Sequence, residues 1–131
     1  MLARANRLTS SAAFADTIRR GARAGGRTLV VHVALDADRD TPAVGLVVSK
    51  QVGNAVARNL VKRRLRELAR ERLSSLPGSV VLVLRAQSAA ATASHVELGA
   101  ELDRALHRVL PQLAARRQEA EVSQTVEGSS A

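Results

Sequence analysis

The feature that most constrains the fold of this chain is the segment 49–67, SKQVGNAVARNLVKRRLRE, in which a Gly-Asn turn precedes a long amphipathic pattern. At 100° per residue, the apolar side chains fall on one arc and most basic side chains fall on another. The pattern predicts a helix over 54–73, with Asn54 as its N-cap. One arc should pack on a core, and it contains Val61, Leu65, Leu68, Ala69 and Leu73. The other arc should meet a polyanion, and it contains Arg58, Asn59, Lys62, Arg63, Arg66 and Arg70.

The other periodicities predict an α/β alternation with a helix near each end of the chain. Ser10 or Ser11 should cap the first helix, which ends at Gly21, and Pro111 is expected to kink or shorten the last one. Residues 116–131 are polar and are predicted to be a disordered tail, so that 1–115 forms one domain. The predicted elements are a helix over 11–20, strands over 28–35 and 43–49, a helix over 54–73, a strand over 79–85 and a helix over 94–115.

The positive charge of the chain is concentrated in its first part. Residues 1–73 contain 15 basic and 6 acidic side chains, whereas residues 74–131 contain 5 and 6. Such a local excess favours a phosphate-bearing partner, and no apolar run is long enough to suggest a membrane span. Residues 58–72 include seven basic residues and only two acidic ones. Ion pairs within the helix therefore cannot neutralise its positive charge. Arg64 and Arg72 lie off the basic arc, and a structural role is predicted for both.

The motif S-K-x-V-G-N-A-V-x-R-N-x-V-K-R-x-x-R-E, at 49–67, resembles the signature of the bacterial ribonuclease P protein subunit. Asn6-Arg7-Leu8, then Phe14 and Arg20-Gly21, resemble the N-terminal segment of that family. The resemblance covers about 110 residues in all. It implies an αβββαβα fold, of the α/β or α+β sandwich type, with a central sheet. It also implies a short strand near 23–26 and a left-handed crossover around the basic helix, although crossovers are usually right-handed.

The resemblance also implies a function, namely that of the RNA-binding protein subunit of an endoribonuclease. Family members bind a catalytic RNA, one protein per RNA, and the holoenzyme removes the 5′ leader from precursor tRNA. Mg²⁺ would be held mainly by the RNA, none by the protein alone, and no protein side chain would be catalytic. The residues expected to contact the RNA subunit are Asn54, Arg58, Asn59, Lys62, Arg63, Arg66 and Arg70.

A second set of residues would contact the leader strand, namely Phe14, Ile18, His32, Ser49 and Lys50. Phe14 is the one aromatic residue among Phe, Trp and Tyr, and it can either stack on an unpaired base or fill the core. Relatives often carry aromatic residues where this chain has Ile18 and His32. His32 can stack or hydrogen-bond, or it can be a satisfied strand histidine. Gln51 and Leu60 replace basic residues that relatives commonly have.

Other chemistries find little support in the sequence. Ser49 and Lys50 could suggest a nucleophile and its base, but neighbours on a strand point to opposite faces. Asp36, Asp38 and Asp40 resemble the opening of a calcium loop, yet that loop would need Gly at 41 and Glu at 47, where Thr41 and Val47 stand. A solvated turn is therefore predicted there. A ribosomal RNA-binding protein would share the charge, and a protein-only nuclease would need acidic metal ligands that the sequence lacks.

The chain has no cysteine, which excludes a disulfide scaffold, thiolate chemistry and a Cys-based zinc site. Its N-terminus lacks the hydrophobic segment of a secretory signal, and no metal site is expected. A cytoplasmic location is therefore predicted.

Overall fold

The computed structural model describes the backbone of residues 2–129 and the side chains of residues 2–113. The chain order is helix, three strands, helix, strand and helix, which confirms the predicted αβββαβα arrangement. Short 3-10 turns join several of these elements. The helices are α1 (Ser11–Arg20), α2 (Ala55–Arg72) and α3 (His95–Ser129), and the strands are β1 (Ala22–Gly25), β2 (Leu29–Leu35), β3 (Ala43–Val47) and β4 (Val80–Ala86).

The four strands form one sheet in the order β1-β2-β4-β3. β2 pairs antiparallel with β1 and β4, whereas β3 and β4 are parallel. Parallel neighbours need a crossover connection, and α2 supplies it between β3 and β4. The short strand β1 lies where the family resemblance placed it. The left hand of the crossover remains a prediction.

The sheet has two faces with different coverings. Val31 and Val33 of β2 and Leu82 and Leu84 of β4 are fully buried on one face, in the core that also holds the apolar sides of α2 and α3. Val61 and the other predicted packing residues of α2 belong to this core, with Leu73 at its margin. The opposite face is crossed by α1, which packs on β2 and β4. We call it the α1 face.

Side-chain caps fix where the first two helices begin. Ser10 Oγ accepts a hydrogen bond from the Ala13 amide at 3.3 Å, and Asn54 Oδ1 accepts one from the Ala57 amide at 2.9 Å. Gly53, just before the second cap, has φ = 150°, a conformation that side chains disfavour. Both predicted N-caps are thus confirmed, and the turn at 53–54 sets the direction in which α2 leaves the sheet.

Glu101 on α3 holds the turn between β1 and β2. Its carboxylate accepts hydrogen bonds from the Thr28 amide at 2.8 Å, the Thr28 hydroxyl at 2.5 Å and the Leu29 amide at 3.2 Å. Burial favours the neutral acid, yet these donors outweigh it, and the pKa of Glu101 lies below its ordinary value. The last helix and the edge hairpin are therefore tied together by one side chain.

Two predicted boundaries differ from the observed ones by more than one residue. β3 ends at Val47 rather than at residue 49, because a 3-10 turn at Lys50–Val52 follows it and leads into Gly53. α3 begins where predicted but runs past Pro111, which lies inside it. The disordered tail predicted for 116–131 concerns residues that lie outside those whose side chains the structure describes, and it stays a prediction.

Candidate RNA interface

The basic arc of α2 forms a line of cations along the side of the helix that faces away from the core. Arg58 and Lys62 are half-buried and the others are exposed. No ion pair or hydrogen bond joins these side chains to any group among residues 2–113. The acidic residues of the same helix, Glu67 and Glu71, form no ion pair with these cations among residues 2–113, and Glu71 lies instead 3.5 Å from Arg72. We call this set the outer stripe, and it comprises Arg58, Asn59, Lys62, Arg63, Arg66 and Arg70.

Two further arginines of the same helix are engaged in structural contacts. Arg64 donates from Nη1 to the Ala93 carbonyl at 3.0 Å. Arg72 makes a fork with Asp103 of α3, at 2.6 Å from Nε to Oδ1 and 3.1 Å from Nη2 to Oδ2, and also donates to the Leu68 carbonyl at 2.9 Å. These contacts confirm the structural role predicted for Arg64 and Arg72.

The fork changes the acidity of both its partners. The hydrogen bond from Arg72 lowers the pKa of the Asp103 carboxyl, against the opposing effect of burial, and the same hydrogen bond raises the pKa of Arg72. Both groups are therefore held in their charged forms. Arg72 has a carboxylate partner in Asp103, whereas the cations of the outer stripe have none among residues 2–113.

Asn54 and Asn59 have different surroundings, although the sequence assigned both to the RNA subunit. The Asn54 side chain caps α2, as described above, so its oxygen shapes the helix start. Asn59 is exposed, and no hydrogen bond to its side chain is present among the described residues. Whether either residue contacts RNA stays a prediction.

On the α1 face, Phe14 lies directly over Gly45 of β3. Its ring atoms Cε1 and Cζ occupy the space that a Cβ at position 45 would need. The ring is half-buried, so it is neither a fully enclosed core residue nor a free surface side chain. Ile18 follows one helical turn later, on the same side of α1, and is 37% exposed. Gly45 is thus required for the close approach of this aromatic ring.

His32 lies in the same cross-strand row as Gly45. It pairs with Val83 of β4, which in turn pairs with Gly45, so two strand spacings, about 10 Å, separate the two backbones. The side chain is only 1% exposed, and neither ring nitrogen has a hydrogen-bond partner within the described residues. It is therefore buried, as one of the two sequence interpretations expected, but it is not satisfied.

Two arginines flank His32, and sequence reasoning did not select either of them. Arg23 of β1 pairs with His32, and Arg85 of β4 lies one cross-strand row away on the same face. Burial lowers the pKa of His32, and the charges of Arg85 and Arg23 lower it further. The imidazole is thus kept neutral beside two cations. The register of the strands brings these three residues together. The only sequence signal for this cluster was Arg85, a single charged residue in the apolar run of β4.

Ser49 and Lys50 are exposed and lie beyond the end of β3, at the start of the 3-10 turn. The argument from strand alternation therefore does not apply to them, because neither residue is in a strand. No hydrogen bond links their side chains in the described part of the chain. Contact with phosphate by Lys50 stays a prediction.

The acidic segment after β2 forms a turn. Asp36 Oδ1 accepts a hydrogen bond from the Asp38 amide at 3.1 Å, as in an Asx turn. Among residues 2–113, no three His, Asp or Glu side chains lie close enough together to hold a metal ion. The predicted turn is confirmed.

Comparison with known proteins agrees with this geometry. The family model described as Ribonuclease P matches residues 2–110 of the chain. The chain belongs to the ribonuclease P protein family. It is similar to the ribonuclease P protein component of a Nocardioides species, with 59% identity over 111 residues that cover 83% of this chain and 95% of that protein. The component from Pseudarthrobacter chlorophenolicus is 46% identical over 120 residues, covering 92% and 88%.

A solved structure of the family has the same fold. The ribonuclease P protein of Staphylococcus aureus matches with a TM-score of 0.73 and 26% identity, over 79% of this chain and 96% of that chain. Membership implies a general role in tRNA 5′ processing and a place in the ribonuclease P holoenzyme beside its RNA subunit. Within the described residues, no helix is long and apolar enough to cross a membrane.

Proposed function

We propose that this ribonuclease P protein binds the RNA subunit of the holoenzyme through the outer stripe of α2. The observation that carries the proposal is a row of five cations without acidic partners among the described residues, on a helix whose other side is locked in the core. Cations held in this way can neutralise phosphates and release condensed counterions when RNA binds. One protein is expected to bind each RNA subunit.

The α1 face is the proposed contact for the leader of precursor tRNA. Phe14 offers a half-buried ring and Ile18 an apolar neighbour, while Lys50 lies beyond the end of β3. His32 is buried beneath this surface, so its expected contribution is to the shape of the face. Arg23 and Arg85 are added to this set because their register places them beside His32. Stacking on an aromatic ring suits an unpaired strand of any sequence, and cations beside it suit the phosphates of that strand.

The protein itself is proposed to be noncatalytic. Cleavage would use Mg²⁺ held by the RNA subunit, since the carboxylates described above form a turn and not a ligand cluster. The outer stripe and the α1 face would instead reduce the repulsion between two polyanions. Elevated Mg²⁺ and salt provide similar screening, so the RNA subunit alone is expected to cleave precursor tRNA under those conditions.

A cleavage assay tests the noncatalytic role. The purified protein alone should not cut precursor tRNA, and the holoenzyme should keep nearly its full single-turnover rate when His32, His95 or His107 is replaced singly at saturating protein. The same is expected for a variant in which Asp36, Asp38 and Asp40 are all replaced by Asn. Cleavage by the RNA-free protein, or loss of cleavage in one variant with RNA binding intact, would refute the proposal.

Leader contact by Phe14 has its own test. Phe14→Ala should weaken the binding of precursor tRNA to the holoenzyme by roughly 1–3 kcal/mol, the value of one stacked base, and leave mature tRNA binding unchanged. A core role would instead appear as a loss of about 3–5 kcal/mol in the free energy of unfolding. Thermal unfolding measured beside the two tRNA affinities separates these outcomes. Equal losses for both tRNAs together with a large loss of stability would exclude stacking.

A further inference from the structure

His32 on β2 is the most deeply buried histidine of the described residues, with only 1% of its surface exposed. Its strand neighbours Val31 and Val33 point into the core, so its ring points to the α1 face. α1 is the helix that packs on β2 and β4 from that side, whereas α3 packs on β2 from the core side. The imidazole therefore lies enclosed between the sheet and α1.

The ring has no hydrogen-bond partner in this enclosed position. Neither Nδ1 nor Nε2 of His32 meets a donor or an acceptor among the described residues. The buried hydroxyl of Thr17 on α1 is engaged elsewhere, since it donates to the Ala13 carbonyl at 2.8 Å. A protonated imidazole has two N–H donors and needs an acceptor for each of them. The site offers neither acceptor among the described residues, so it accommodates the neutral ring better than the charged one.

The charged groups beside His32 in the sheet are both positive. Arg23 of β1 is its cross-strand partner, and Arg85 of β4 lies one row away on the same face, with its Nε buried and without a hydrogen-bond partner among the described residues. α3 lies across the sheet, so its charged groups do not face the ring. No carboxylate among residues 2–113 forms an ion pair with His32. The charged residues of α1 pair with one another, namely Asp16, Arg19 and Arg20.

We propose that His32 is an acid-sensitive lock, which holds α1 on the sheet while its imidazole is neutral and releases α1 when the imidazole takes up a proton. The charged ring would lie beside two arginines without an acceptor for either N–H, and it reaches solvent when α1 moves away. Release separates Phe14 and Ile18 from the sheet, so the α1 face comes apart while the outer stripe of α2 stays in place. The inference rests on the proposed function only in this consequence for the leader.

Release of α1 should become easier in acid, because an exposed imidazole binds a proton more tightly than the buried one. Burial, and then the charges of Arg85 and Arg23, lower the pKa of His32 in the folded protein from its ordinary value of 6.5. The contribution of the neutral ring to stability is therefore complete above about pH 6.5 and is lost as the pH falls toward the lower folded value. With one proton taken up on release, the equilibrium constant for opening should rise about tenfold between pH 7.5 and pH 5.5.

Native-state hydrogen exchange of the full-length protein, followed by nuclear magnetic resonance, tests the lock directly. The protection factors of α1 amides, which correct for the slower intrinsic exchange in acid, should fall about tenfold between pH 7.5 and pH 5.5. Gly21 is a suitable reporter, because its amide donates to the Thr17 carbonyl at 2.9 Å. The amide of the buried Leu65 in α2 should keep its protection. Unchanged protection of α1, an equal loss throughout the chain, or a loss confined to the edge strand β1 would overturn the proposal.

Matched histidine variants separate His32 from the rest of the chain. His32→Gln removes the titratable ring and should make the protection of α1 independent of pH in this range, whereas His107→Gln removes an exposed histidine of α3 and should keep the tenfold loss. His32→Phe serves the same purpose if the glutamine variant is unstable. The same pH dependence in the His32 variants as in the wild type would overturn the lock.

The ring signals of His32 in the wild-type protein give a readout that needs no stable variant. In the folded molecules these signals should still show the neutral imidazole at pH 5.5. Ring signals that titrate near pH 6.5, the ordinary value for histidine, would show that the docked ring accepts a proton freely, and they would overturn the lock.

Leader binding is measured separately, so that the lock and the proposed function can fail independently. The holoenzyme affinities for precursor and mature tRNA are compared at pH 7.5 and at a lower pH where a measurable fraction of α1 is open. The wild type should lose part of its preference for precursor tRNA in acid, and His32→Phe should lose less of it. Loss of α1 protection with an unchanged preference would support the lock and contradict the leader contact. Protection of α1 that does not depend on pH would overturn the lock alone.

Discussion

The two sets of arginines on α2 differ in what surrounds them and not in their chemistry. Arg64 and Arg72 reach a backbone carbonyl and the Asp103 carboxylate, whereas Arg63 and Arg70, each within two positions of them in sequence, are exposed and have no such partner in the described part of the chain. A shift of one position turns a side chain by 100° around the helix. Identical residues therefore serve folding on one side and remain available for a polyanion on the other.

The difference shows why a count of charges is a poor guide to an RNA interface. Of the seven cations between 58 and 72, two are used inside the protein and five belong to the outer stripe. An exposed cation keeps its full capacity to displace counterions from RNA, whereas Arg72 would first have to give up its fork with Asp103. The predictions below test this contrast, from the largest expected effect to the smallest.

Truncation of a side chain on the packed side of α2 should cause the largest loss in the free energy of unfolding. Leu65 is fully buried in the core, so Leu65→Ala should lower the free energy of unfolding by about 2–5 kcal/mol through lost burial and a new cavity. Val56 on the same helix is 79% exposed, and Val56→Ala should change the free energy of unfolding by less than about 0.5 kcal/mol. Urea denaturation of the two variants measures the difference. Similar losses would mean that the packed side of α2 is wrongly assigned.

Arg64 and Arg72 are the inner arginines of α2, and the arginines of the outer stripe are the outer ones. Removal of an inner arginine should lower the stability of the protein, and removal of an outer arginine should weaken RNA binding. Arg72→Ala is expected to cost about 1 kcal/mol of stability, a modest value because Asp103 is 59% exposed and the pair is screened. Arg70→Ala should leave the unfolding temperature unchanged and weaken binding of the RNA subunit. Thermal unfolding and RNA titration of both variants measure whether Arg72→Ala changes mainly the stability and Arg70→Ala mainly the RNA affinity. The contrast fails if Arg70→Ala is the less stable of the two.

Acid should reduce the contribution of the Arg72–Asp103 pair to the stability of the protein. The pKa of Asp103 is lowered in the folded protein from an ordinary value of 3.8, so its contribution to stability is present above about pH 3.8 and disappears as the pH falls through the lower folded value. The stability gap between the wild type and Arg72→Ala should therefore be constant from pH 7 to pH 5 and narrow near pH 3. Thermal unfolding across this range tests it. A gap that widens in acid would contradict the fork.

Much of this architecture could be predicted from local sequence patterns. The spacing of Val61, Leu65 and Leu68 identified the packed side of α2, and Ser10 and Asn54 marked two helix starts, because caps and periodicity are local properties. The roles predicted for Arg64 and Arg72 also followed from their angular positions. The family resemblance supplied the short strand β1 and the crossover through α2, which local patterns alone did not indicate.

What could not be predicted depends on contacts between distant parts of the chain. Arg23, His32 and Arg85 meet because three strands pair in one register, and no single segment contains that information. Arg7 lines one pocket together with Lys62 and Arg66 because the N-terminal segment bridges to Val44 of β3. The end of β3 was misplaced by two residues, because the apolar run continues through Val48 although pairing with β4 ends at Val47.

The salt dependence of RNA-subunit binding in two charge-matched double variants tests the central claim most directly. Arg63→Gln/Arg70→Gln removes two outer cations, and Arg64→Gln/Arg72→Gln removes two inner ones. We expect the outer variant to flatten the slope of log affinity against log salt by about 1.5–2, close to 0.9 per phosphate contact, and the inner variant to keep the wild-type slope where it remains folded. Equal flattening by both variants would show that net charge alone governs binding, and it would contradict the assignment of the outer stripe.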